Sequence, residues 1–237
     1  YRAANETETR EDRFNKWVKK NYPAHQVAKS NPILQHLRSV KEPEELDVMQ
    51  HACGITEKGL RRILNFVKPG VMEFEIEAEF MHEFLRNRSR GFAYTPIVAS
   101  GKNATVLHYI ENKKQCRDGE LILLDIGCEY ANYASDMTRV VPVNGRFTAR
   151  QKEIYNAVKR VKEKATKMLV PGAYWKAYHK EVGKLMTDEL LNLGLLDQAD
   201  VKNQHPDQPA YKKYFMHGTS HHIGLDTHDY GLLHEPI

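Results

Sequence analysis

Cysteine is scarce. The 237 residues hold three, Cys53, Cys116 and Cys128. An odd number without metal-type spacing argues against a disulfide framework and for a reducing compartment. Long apolar runs are lacking too. No stretch approaches the roughly 20 residues of a membrane-spanning helix, and none has the form of a signal-peptide core. A cytoplasmic chain without membrane association is expected. Charge of one sign is not in excess, since 35 basic against 31 acidic residues leave +4. The basic residues are spread along the chain without a stripe, so nucleic acid is not an expected partner. With 41% hydrophobic and 28% charged residues the chain has the balance of a folded protein. The Asn-x-Ser/Thr triplets at Asn5, Asn87 and Asn103 are read as chance, and as unmodified in a cytosolic chain.

What is plentiful is histidine. There are twelve, and six of them (His205, His217, His221, His222, His228 and His234) fall in the last 33 residues. The other focus is Leu121–Val143. The apolar run Leu121-Ile122-Leu123-Leu124 leads into Asp125, and Asp136 opens a second β-prone run eleven positions later. Gly127 and a polar, Tyr-containing loop separate them, which reads as a β-hairpin with the two aspartates on neighbouring strands. Ionised carboxylates beside apolar strands repel each other and are costly to desolvate, so a cation is expected between them.

Along the chain, residues 1–28 read as one charged amphipathic helix ending near Tyr22-Pro23, with Phe14, Trp17 and Val18 as a thin apolar stripe. From about Pro43, Leu46, Met49, Cys53, Leu60, Ile63, Leu64 and Val67 recur at threes and fours, a long helix stopped by Lys68-Pro69-Gly70. A second helix puts Ile76, Phe80 and Phe84 on one face. β-prone runs follow at Phe92–Ala99 and Thr105–Ile110, then the aspartate hairpin. The second half repeats the outline. A helix over Ala149–Leu169 ends at Val170-Pro171-Gly172, 102 residues after the first such stop, and another follows with Trp175, Tyr178 and Val182. After a polar loop, Gly194–Lys213, a β-like run starts at Tyr214. The fold class is α+β, with two pseudo-symmetric helix–helix–strand halves sharing a curved antiparallel sheet and a cleft between them.

The segment Met216–Gly224, followed by Asp226-Thr227-His228-Asp229, is the histidine source. Its glycines argue against a helix. In an extended strand His217, Thr219 and His221 share a face while His222 points the other way. Asp125, Asp136 and His221 make a mixed oxygen and imidazole set that suits Mn²⁺, Fe²⁺, Co²⁺ or Zn²⁺ better than Ca²⁺ or Mg²⁺.

The motifs LLDIGCEY, SDMTRVVPVNGRFT, VLHY around His108 and FMHGTSHHIGLDTHD resemble, over roughly residues 40–231, the pita-bread metallopeptidases and within them the Xaa-Pro aminopeptidases (aminopeptidase P). The resemblance implies two divalent ions, Mn²⁺ first, with Co²⁺, Zn²⁺ or Fe²⁺ as alternatives. Asp125 would bind one ion, Asp136 bridge both, and His221 be the histidine ligand. His108, His217 and His228 would contact substrate or the developing intermediate. The implied reaction is hydrolysis of the bond between an N-terminal residue and a following proline by a hydroxide bridging the two ions. Peptides with proline second would be the substrates, and a homo-oligomer the assembly. Tyr94 matches a family tyrosine near the site and is read as a core or cleft-wall aromatic. Residues 1–30 resemble the end of a creatinase-like N-terminal domain, and 31–237 the catalytic domain without its C-terminal part. A prolidase, a methionine aminopeptidase and a non-catalytic binding module of the same fold are the rival readings.

One departure matters. The family adds two glutamate ligands, the first in a Glu-Pro-Gly context well after the histidine segment. Here Glu235 follows His221 by only fourteen residues, and Ile237 stands where glycine belongs. Glu235 is therefore read as a loop residue, leaving two of five ligands, one the expected general base, outside the 237 residues. The chain alone should be inactive. Mixed with Mn²⁺ and an Xaa-Pro peptide it should give no turnover, and clear product formation would refute the ligand count.

Overall fold

Pro43 opens the longest helix. Its missing N–H costs nothing in a first turn, and the Glu45 carboxylate reaches back to the Glu42 N–H at 2.8 Å. A computed structural model describes residues 7–231. Its elements are α1 (Arg10–Asn21), α2 (Asn31–Ser39), α3 (Pro43–Phe66), α4 (Glu73–Arg86), β1 (Gly91–Phe92), β2 (Ile97–Ser100), β3 (Leu121–Ile126), β4 (Cys128–Tyr130), β5 (Tyr133–Ala134), β6 (Met137–Pro142), α5 (Ala149–Met168), α6 (Trp175–Asn192) and α7 (Gln198–Lys202). Short 3-10 turns lie at Gly101–Thr105 and Ala210–Lys213. Among the described residues no helix is long and apolar enough to cross a membrane.

The buried stripe of α3 is Ala52, Ile55, Thr56, Gly59 and Ile63. It is rotated from the expected one, for Leu46, Cys53 and Leu64 are exposed. Side-chain size decides this. A Cβ on Gly59 would meet the Phe80 and Phe84 rings at 2.9 and 3.0 Å, so the small residues of α3 admit the large ones of α4. Ile76, Phe80 and Phe84 are fully buried, as the spacing predicted.

The strands make two three-stranded antiparallel sheets, β2-β3-β6 and β1-β4-β5. The expected hairpin is thus more elaborate. β3 and β6 pair over their length, and a smaller hairpin, β4–β5, rises between them. Its turn residues Ala131 and Asn132 both have positive φ (50° and 72°), as a two-residue hairpin turn of matching twist requires. β3 alternates strictly. Ile122, Leu124 and Ile126 face the core with α3 and α4, and Asp125 faces the other way.

Thr105–Ile110 is not a strand. Glu73, at the start of α4, is fully buried and gathers the donors of that region. Its Oε1 accepts from the Ser100 N–H and hydroxyl (2.7 and 2.8 Å), and its Oε2 from the Tyr109 hydroxyl and the Lys114 N–H (2.8 and 2.9 Å). A buried carboxylate must be saturated with donors. The chain therefore wraps around Glu73 instead of extending along the sheet, leaving His108 on an exposed turn at φ 55°.

In the second half α5 and α6 pack through Val161, Ala165, Tyr178 and Val182. Arg160 grips Glu189 through two hydrogen bonds of 2.8 and 2.6 Å. The two Pro-Gly stops behave alike, with Gly70 at φ 99° and Gly172 at φ 91°. The helix pairs of the repeat are therefore present, whereas both sheets among the described residues belong to the first half. The polar loop after α6 carries α7 and the second 3-10 turn. Among the described residues 7–28 the one helix is α1, as expected, and α2 lies in a stretch for which the sequence predicts no element.

Phe84 lies where α3, α4 and β1 meet, its ring 5.2 Å from that of Phe92 and 6.0 Å from that of Phe80. Phe84→Ala should cost about 3–5 kcal/mol, read as a lower urea midpoint at unchanged slope. A loss below about 1 kcal/mol, the scale of a surface substitution, would remove this ring from the core.

Candidate metal centre

Strand register brings Asp125 and Asp136 together. In the β3–β6 ladder Asp125 lies opposite Thr138. Asp136 precedes Thr138 by two residues and so shares its face, which makes the carboxylates diagonal neighbours. Gly127 permits the crossing between them. A Cβ there would lie 1.8 Å from the Ser135 carbonyl oxygen. From behind, Thr56 of α3 ties the start of β4 to Ser135, the residue before Asp136. Its hydroxyl is 2.6 Å from that of Ser135, and the Cys128 N–H donates to both oxygens (3.1 and 2.9 Å).

In front stands Tyr94. Its hydroxyl is 2.7 Å from Asp125 Oδ1 and 3.0 Å from Asp136 Oδ1. Burial, reinforced by the two carboxylates, pushes the Tyr94 pKa far up, so the phenol keeps its proton. One proton cannot satisfy two carboxylate oxygens fully. Burial also raises Asp125 above the ordinary carboxylate range, against the pull of the Tyr94 hydrogen bond. Asp136 feels burial as well, but its contacts with His221 and Tyr94 outweigh that and hold it low. The two aspartates are neighbours with opposite preferences.

His221 supplies the third group. Its Nε2 is 3.0 Å from Asp136 Oδ2 and its Nδ1 is 2.9 Å from the His222 carbonyl. A carbonyl only accepts, so Nδ1 carries a proton. Nε2 then faces a carboxylate and calls for a second proton or a shared cation. The Asp136 contact accordingly raises the His221 pKa despite partial burial. The His228 ring stacks on His221 with centroids 4.0 Å apart and planes 13° apart. His108 is close enough that its charge favours ionisation of Asp125.

His217 does not join this group. Its Nδ1 is 2.8 Å from the Gly218 carbonyl and its ring meets Phe215 edge-on at 4.9 Å. The strand expected from Tyr214 is absent, because strands need a ladder and residues 214–231 make a single backbone bond to one, Ala134 N–H to the Gly224 carbonyl at 2.8 Å. The shared face inferred for His217 and His221 falls with it. His222 does turn away, stacking on Trp175 at 5.1 Å.

Carboxylate oxygens and an imidazole nitrogen meeting at one shared aspartate fit a divalent transition ion in donor type. Acceptors here outnumber protons, which is what a cation would correct. Among the described residues no three His, Cys, Asp or Glu side chains are arranged to hold an ion on their own. The Tyr94 hydroxyl lies at the point where the two carboxylates converge. Its reading as a wall aromatic is therefore corrected. No spacing signal marks it, and none marks Thr56 or Ser135. Glu235 lies outside the described residues.

Comparison with known proteins gives the family and the fold. Residues 47–236 match Peptidase_M24, metallopeptidase family M24. The chain is 43% identical over 200 residues to the Xaa-Pro aminopeptidase of Haemophilus influenzae, covering 84% of this chain and 46% of that protein. A solved structure of a putative aminopeptidase P from Bacillus anthracis superposes with a TM-score of 0.91 at 33% identity, over 100% of this chain and 55% of that one. Zn-substituted Escherichia coli aminopeptidase P in complex with product superposes with a TM-score of 0.84 at 36% identity, over 97% and 54%. The chain spans about half the length of these relatives. Its fold is that of the pita-bread enzymes, α+β with antiparallel sheets.

In the metal-free protein, Tyr94→Phe removes a hydrogen bond that lowers both carboxylate pKa values. Carboxyl titration followed by NMR should show Asp125 and Asp136 each moving up, and unmoved titrations would place the hydroxyl elsewhere.

Proposed function

The chain belongs to metallopeptidase family M24, and from that we propose that it serves as an Xaa-Pro aminopeptidase, releasing the residue that precedes a proline at the N-terminus of a peptide. The observation that carries the reading is Asp136, whose two oxygens face different partners. Oδ1 shares the Tyr94 hydroxyl with Asp125, and Oδ2 meets His221. Asp136 so placed would hold divalent ions together with Asp125 and His221.

Bound divalent ions, Mn²⁺ in this reading, supply Lewis acidity and bring the pKa of water towards ~7. The chain's own groups do the rest. Asp125 and Asp136 hold their positions through ladder register and Thr56. His221 is held with Nδ1 protonated and Nε2 directed at the site. His228, stacked on His221, or His217 would donate to the carbonyl oxygen as negative charge develops there or to the peptide backbone, a role worth about 2.7–4 kcal/mol per donor. His108, on its exposed turn, would hold the substrate or protonate the leaving proline nitrogen. The part of His217, whose ring meets Phe215 edge-on, rests on the resemblance. Free thiols at Cys53, Cys116 and Cys128 support a cytoplasmic setting. The homo-oligomeric state rests on the resemblance.

In the intact protein Asp136→Ala should abolish Xaa-Pro peptide hydrolysis while the far-ultraviolet circular dichroism stays unchanged. Undiminished turnover would take Asp136 out of the site. Tripeptides with proline second should be cleaved as well as Xaa-Pro dipeptides, and activity on dipeptides alone would indicate a prolidase.

A further inference from the structure

The segment that carries His221 and His228 has no ladder to hold it, so something else must fix its path. The far end of the segment shows what does. The Asp229 side chain is only 1% exposed, and both of its oxygens are taken by cations from the chain before α3. Arg38 Nη2, at the end of α2, donates to Oδ1 at 2.5 Å, and Lys41 Nζ donates to Oδ2 at 3.2 Å. Lys41 Nζ also donates to the Arg38 carbonyl at 2.7 Å, which ties the two cations to each other. Arg38 reaches Asp226 Oδ2 at 2.6 Å, and its guanidinium lies 4.7 Å over the Tyr230 ring. One turn earlier on α2, the Gln35 amide donates to the Gly231 carbonyl at 2.9 Å.

The grip is transmitted to the site through one carbonyl. The Asp229 N–H donates to the His222 carbonyl at 3.0 Å, and the same oxygen accepts the Nδ1 proton of His221 at 2.9 Å. From His221 the path runs through Nε2 to Asp136. Gly224 leaves the space this needs, since a Cβ there would lie 2.1 Å from Asp229 Oδ2 and 2.9 Å from Lys41 Cε. A histidine that binds a metal through one nitrogen takes its tautomer and ring orientation from the partner of the other. Here that partner is a backbone carbonyl whose own place is set by Asp229.

We propose that Arg38, Lys41 and Asp229 form a positioning clamp that orients His221 for the metal site. Arg38 and Lys41 precede residue 47, where the family match begins. The segment around α2 is in this sense part of the site, although it touches neither Asp125 nor Asp136. The proposal rests on the reading of His221 as a ligand.

The test uses the intact protein. Mn²⁺ affinity is read from the electron paramagnetic resonance of free Mn²⁺, and site geometry from the visible bands of the Co²⁺-loaded protein. Arg38→Ala should weaken Mn²⁺ binding roughly 10–100-fold, the usual scale for a support behind a ligand, and should shift the Co²⁺ bands. Arg38→Lys should restore most of both, which loss of general stability would not do. Lys41→Met should act in the same direction and carries the test if Arg38→Ala does not fold. Wild-type affinity and an unshifted Co²⁺ spectrum in Arg38→Ala and Lys41→Met would overturn the clamp alone. Failure of the wild-type protein to bind Mn²⁺ at all would overturn the metallopeptidase reading and the clamp with it.

Discussion

Two carboxylates on one face of an antiparallel ladder constitute the constraint on which this structure turns. Register alone makes Asp125 and Asp136 diagonal neighbours. Electrostatics opposes the arrangement, because each charge is partly desolvated and repels the other. The surroundings are arranged to tolerate it. Tyr94 shares its hydroxyl between the two, His221 meets the free oxygen of Asp136, and Thr56 ties the start of β4 to Ser135 from the core side. The two aspartates respond unequally. Asp125 is pushed towards neutrality by burial, and Asp136 is held ionised by its partners. That asymmetry suits a pair in which one carboxylate is shared by more neighbours than the other.

A third carboxylate solves burial differently. Glu73 sits deeper than either aspartate and is saturated by hydroxyls, an amide and backbone N–H groups. It organises the turn that presents His108, through Tyr109 next door. The fourth, Asp229, takes two cations. Four buried or half-buried carboxylates, two of them paired, thus fix three segments: the hairpin, the His108 turn and the histidine segment. Hydrophobic packing places the helices and sheets, and these polar anchors place the chemistry on them.

Much of this was legible in the sequence because it follows from periodicity and stop signals. The helices α3 to α6, the Pro-Gly stops and the pairing of the two aspartate strands all came from spacing. The orientation of α3 did not, since it was set by the small residues Ala52 and Gly59 and not by the largest apolar ones. The His108 turn read as a strand because a run such as Thr105–Ile110 shows β propensity, while the demand of a distant buried glutamate has no local signature. Residues 214–231 failed for the same reason in reverse, as alternation predicts a strand only where a ladder partner exists. Tyr94, Thr56, Arg38 and Lys41 contact the site or its supports across long stretches of chain. Such contacts have no period to read.

The β4–β5 hairpin lies between the two aspartates in sequence but outside the ladder that aligns them. A slip of one residue within β3 or β6 sends a carboxylate to the opposite face, whereas a change of length at the Ala131-Asn132 turn leaves their register alone. The hairpin answers instead to partners of its own, β1 along β4 and the Gly224 carbonyl at Ala134. One short excursion of the chain thus serves as a separate joint, linking the aspartate ladder to the segment that carries His221 without sharing in the register that aligns the carboxylates.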